Sequence, residues 1–100
     1  LLEGAPPHLD VTAIERTILA CPGVASVHDL HVWRISERFD MLTAHVTLKR
    51  GQHGTDVCRT VADCMREEYG LGHVTIQPEP PPPDDLVAVR ASKDGAAIQA

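Results

Sequence analysis

The 100-residue chain has no asparagine, no run of lysine or arginine, and one residue each of tryptophan, tyrosine and phenylalanine. Binding to nucleic acid needs a basic footprint, and a formal charge of −5 with neutral histidines supplies none. No apolar run nears the roughly 20 residues that cross a bilayer, and no signal-peptide pattern is present. The segment is therefore expected to be soluble, whatever a longer natural chain carries ahead of it. Its three cysteines, Cys21, Cys58 and Cys64, are odd in number and lack the CxxC spacing of zinc ribbons and redox sites. That excludes a disulfide scaffold. Thiols on apolar helix faces behave as small hydrophobes and point to a reducing, cytosolic compartment.

What is present amounts to one small domain. Residues 1–9, with Gly4, Pro6 and Pro7, read as a lead-in. Asp10 or Thr12 can cap a helix, and Thr12 with Glu15 has capping-box spacing. Val11, Ile14, Ile18 and Cys21 then make one apolar helical stripe, stopped by Pro22-Gly23. Residues 24–35 form a first strand candidate, and "SERFD" (36–40) a polar connection. In 41–49, Leu42, Ala44, Val46 and Leu48 alternate with Thr43, His45, Thr47 and Lys49, giving a strand with one buried face. Thr55 can cap a second helix carrying Val57, Val61 and Cys64, which Gly70 and Gly72 end. The third strand, "HVTIQ" (73–77), points Val74 and Ile76 one way, and His73, Thr75, Gln77 and then Glu79 the other. "PEPPPPDD" follows. Consecutive prolines favour extended polyproline II, and 81–100 read as a proline-rich disordered tail.

The expected order over residues 10–80 is thus α-β-β-α-β, an α+β domain. An antiparallel hairpin and a crossover give a three-stranded mixed sheet. Two helices cover one face and leave the other open, and an uncovered small sheet usually meets a partner. A core of about 80 residues buries only roughly 60–65 % of its unfolded surface, so a partner subunit or a metal is a natural source of further stability.

Six histidines are the chemical signal. "VHDLHVW" (27–33) puts His28, Asp29 and His31 into a strand, where unpaired polar groups are costly to bury. His45 lies on the polar face of strand two. His73, Gln77 and Glu79 lie on the polar face of the neighbouring strand. Imidazoles and a carboxylate converging across strands suit a borderline ion such as zinc. His28 and His31, three apart, face opposite sides of a regular strand unless it bulges. One of the two is then a ligand candidate and the other a packed residue. Asp29 is placed to orient a neighbouring imidazole, and His53 sits in a Gly-flanked loop.

Four stretches together, Leu2-Glu3-Gly4, "PGVASVHDLHVW" (22–33), "LTAHV" (42–46) and "HVTIQPE" (73–79), resemble in their order the cytoplasmic C-terminal domain of cation diffusion facilitator transporters. The resemblance covers residues 1–80. It implies a ferredoxin-like, metallochaperone-like αββαβ fold and a V-shaped homodimer binding divalent metal, commonly zinc, near the subunit interface. It also implies a preceding six-helix membrane domain, which places this segment on the cytoplasmic face of the cell membrane. In that family, metal brings the two arms together and favours transport. Carried over by position, His28 and His45 fall on metal-ligand positions, Glu79 falls where the family places a carboxylate after the last strand and is counted with them as a candidate ligand, and His53 matches a loop histidine that contributes in some members. His73 lies about one residue from another ligand position. Gln77 stands where some members have a ligand histidine. His31 and Trp33 match the pattern without being clear ligands, with Trp33 expected to return to the apolar side.

Three other classes compete. A copper chaperone of this fold presents a CxxC pair, absent here. Small acyl-phosphate hydrolases of similar architecture use an Arg/Asn pair, and the chain has no asparagine, so no enzyme activity is expected. A purely structural dimerisation domain is the remaining alternative.

Overall fold

The computed structural model describes residues 9–83. Most of the expected lead-in (1–9) and of the expected tail (81–100) lies outside the described residues. The elements are α1 (Val11–Leu19), β1 (Val24–Ser36), β2 (Phe39–Leu48), α2 (Gly54–Tyr69) and β3 (His73–Glu79). The sheet order is β1-β2-β3, with β1 antiparallel and β3 parallel to β2. This is the expected mixed αββαβ sheet.

Of the two expected caps for α1, Asp10 is used. Its Oδ1 accepts from the amides of Thr12 at 3.0 Å and Ala13 at 3.3 Å, satisfying two N–H groups that a helix start leaves orphaned. Ile14 and Ile18, one turn apart, are fully buried. They meet Val57, Val61 and Met65 of α2 and Val32, Leu42, Ala44 and Val46 of the sheet in one core, so both helices lie on the same face. Each such aliphatic side chain contributes about 1.5–3 kcal/mol by leaving water. Thr17 Oγ1 and the Tyr69 hydroxyl, 2.8 Å apart, join the two helices.

Four expectations about local structure need correcting. The helix expected to be capped by Thr55 begins at Gly54, with His53 in the capping position and making no side-chain cap bond. The residue at this start is closely packed: a Cβ on Gly54 would stand 3.2 and 3.3 Å from the Pro78 ring. The connection expected over 36–40 shrinks to Glu37-Arg38, because Asp40 is buried in β2 and takes the Arg34 Nε at 3.2 Å. Strand β3 runs past Gln77 through Pro78 to Glu79, which is tolerable for a proline because β3 is an edge strand.

The fourth correction concerns β1. His28 pairs with His45 and His31 with Thr43, so Asp29 and Leu30 together oppose Ala44. This β-bulge shifts the side-chain alternation by one residue. Leu30 turns toward the core with Val32, and His31 joins His28 on the open face. Trp33, opposite Met41, also lands on the open face and not on the apolar side, its ring stacked on His31 at 5.7 Å and 22°.

Candidate metal centre

The register lines up the open face in rows across the three strands. His28, His45 and Gln77 form one row, and Thr47 and Glu79 stand in the next. Glu79 closes the gap diagonally. Its Oε2 lies 2.7 Å from His45 Nδ1, and its Oε1 lies 3.0 Å from His28 Nε2. An ionised carboxylate only accepts, so both imidazoles donate to it. The hydrogen bond from His45 is the main cause holding the Glu79 carboxyl below its ordinary range; desolvation opposes it, and the charges of His28 and His45 add to the lowering. The two rings are 5.3 Å apart at 49°.

Asp29 approaches the same place from the bulge. One carboxylate oxygen, a His28 ring nitrogen and a His45 ring nitrogen all lie within 4.8 Å of one another. The side chains of His28, His45 and Glu79 are 44 %, 40 % and 36 % exposed, open enough for an ion to enter from solvent. A tetrahedral zinc with ligands near 2.0–2.1 Å separates them by about 3.3 Å, a spacing only a few tenths of an ångström wider than the Glu79 bonds. The donor set, nitrogen plus carboxylate oxygen, fits a borderline divalent ion.

The other expected site residues are placed as follows. Gln77 flanks His45 in its row and is exposed. His31 is held against Trp33. His53 is exposed at the start of α2, beyond the cluster. His73 pairs with Met41 in the Trp33 row, two rows and about 13 Å along the strand from His45. Its Nε2 lies 3.1 Å from Thr75 Oγ1. The structure therefore does not bring His73 to the cluster. Burial first, then the neighbouring Cys64, pushes the Cys21 thiol up to about 11, and burial raises Cys58, so both favour the thiol over the metal-binding thiolate.

The model of the cation efflux protein cytoplasmic domain matches residues 6–81. The chain is 37% identical over 79 residues to metal tolerance protein 1 of Arabidopsis thaliana, covering 79% of this chain and 20% of the relative. It is 34% identical over 85 residues to the proton-coupled zinc antiporter SLC30A8 of Homo sapiens, covering 85% of this chain and 23% of that protein. It thus spans a fifth to a quarter of these relatives' lengths. Among solved structures, the metal-bound C-terminal domain of the CzcD transporter from Cupriavidus metallidurans is 35% identical, with a TM-score of 0.66. That match covers 71% of this chain and 99% of the solved one. The open-faced αββαβ sheet and the match over most of its length lead to one assignment: the chain belongs to the family of cation efflux protein cytoplasmic domains.

Proposed function

We propose that this domain regulates and dimerises a divalent-metal efflux transporter, with zinc as the ion, by binding metal through His28, His45 and Glu79. The observation that carries the proposal is Glu79 bridging two histidines from two other strands on the face that neither helix covers. A relative named a zinc antiporter and a metal-bound structural neighbour support the choice of ion. In the full-length protein the domain follows a six-helix membrane domain and faces the cytoplasm.

The mechanism is linkage. In a homodimer whose open faces lie near the subunit boundary, metal binds the closed pair more tightly than the open one. It shifts that equilibrium by no more than the difference in affinity. Closure then favours transport. Imidazole ligands must be unprotonated to take a metal, so occupancy falls in acid. The core of Ile14, Ile18, Leu42 and Met65 does not depend on the cluster, so the metal-free domain stays folded.

Calorimetric titration of the chelator-treated chain with Zn2+, beside His45→Ala, with mass by light scattering, tests this. Stoichiometric heat that His45→Ala abolishes, in a dimer before and after metal, is the expected result. No heat in the wild type would leave a purely structural dimerisation domain.

A further inference from the structure

We infer that Asp29 is itself a metal ligand, forming with His28 and His45 a donor cluster on the bulge of β1 that Glu79 adjoins. The inference rests on the function proposed above and goes beyond it in assigning a ligand to the bulge of β1.

Two independent observations carry it. The first is position: an Asp29 carboxylate oxygen lies within 4.8 Å of one ring nitrogen of His28 and one of His45, and Glu79 contacts both of those histidines. The second is backbone. Asp29 has φ +51°, and among the described residues it is the one non-glycine in the left-handed region. It occupies the first position of the bulge, where a left-handed residue is ordinarily glycine. Aspartate tolerates this conformation better than most side chains but less well than glycine. Strained residues of this kind persist where the surrounding structure over-determines them, and they gather at functional sites. Here the strain has a visible result. Without the extra residue, alternation would carry residue 29 to the face opposite His28. With it, the carboxylate stays beside the histidine pair.

The charge balance agrees. Two neutral imidazoles and two carboxylates around a divalent cation sum to zero, which lowers the penalty for holding the ion against a low-dielectric sheet. A mixed set of imidazole nitrogen and carboxylate oxygen takes zinc, cobalt or cadmium, and is poorly matched to Cu(I), which selects thiolate and thioether.

The experiment compares wild type, Asp29→Asn, Asp29→Gly and His45→Ala. It uses calorimetry with Zn2+ and the visible spectrum of the Co2+-loaded chain. Asparagine keeps the size and the left-handed preference while removing the charge. Glycine relaxes the backbone and removes the ligand. The expected result is a fall in Zn2+ affinity of about tenfold or more in both Asp29 variants. A changed Co2+ ligand-field spectrum should accompany it, which a merely orienting residue would not produce. Metal-free Asp29→Gly should melt at or above the wild-type temperature, separating ligand loss from misfolding. Wild-type affinity and an unchanged Co2+ spectrum in Asp29→Asn, with binding lost in His45→Ala, would overturn the role of Asp29 while leaving the metal site standing. No uptake of either ion by the wild type would overturn both.

Discussion

The junction between α2 and β3 gives the sharpest link from packing to metal affinity, and Gly54→Val probes it. A Cβ at Gly54 would stand 3.2 and 3.3 Å from two Pro78 ring carbons and 3.6 Å from Leu48 Cδ1. The φ of Gly54 is not in the left-handed region, so the effect is one of contact alone. Alanine forces a shift of a few tenths of an ångström, which the helix propensity it gains over glycine, up to about 1 kcal/mol, offsets. Gly54→Ala should be close to neutral. Valine adds two methyls between a buried leucine and a ring that β3 holds in register with Val46. Overpacking of this kind costs about 2 kcal/mol, or about 8–16 °C in Tm for a domain of this size. Pro78 precedes Glu79, whose bonds to His45 and His28 are 2.7 and 3.0 Å. Displacing the ring moves that carboxylate and should weaken Zn2+ binding about tenfold, equivalent to ~1.4 kcal/mol. Thermal melts with chelator, then calorimetry well below both melting temperatures, give the two numbers separately. Gly54→Val melting within about 2 °C of Gly54→Ala, or binding Zn2+ with wild-type affinity, would refute the coupling of this contact to the site.

Two further outcomes follow from the same geometry. Gly23 has φ +87°, and a Cβ there would lie 2.7 Å from Val57 Cγ2 and 2.8 Å from Gln52 Oε1. Gln52 can swing away but buried Val57 cannot, so Gly23→Ala should lower stability by about 2–4 kcal/mol in urea melts, and an unchanged midpoint would contradict this. The Glu79 carboxyl is held below its ordinary value of 4.5. Its contribution to metal-free stability is therefore present above that value and lost as pH falls through the lowered one. Stability measured from pH 6 down should drop more steeply in the wild type than in Glu79→Gln, and parallel curves would remove Glu79 from the acid-sensitive groups.

The alternation of Leu42, Ala44, Val46 and Leu48 announces β2, and the stripe through Ile14 and Ile18 announces α1, because one-sided burial leaves its period in the sequence. The rows that bring His45, Gln77 and Glu79 together follow from strand order. The bulge at Asp29 does not leave such a trace. "HDLH" departs from alternation, but only the register with His45 and Thr43 shows that the chain absorbs the departure as one extra residue. That single residue moves Trp33 to the open face and Asp29 to the cluster. The 36–40 connection is shorter than its polar residues suggest for a different reason: Asp40 is buried against Arg34, a contact that overrides local turn chemistry. His73 shares the open face with the site, but its distance along the strand separates it.

Anomalous diffraction at the zinc edge from crystals of the Zn2+-loaded chain tests the central claim most directly. The expected result is one strong peak per chain between His28 and His45, in contact with Glu79. A peak at His73 or His53 instead, or no ordered zinc on the open face, would contradict it.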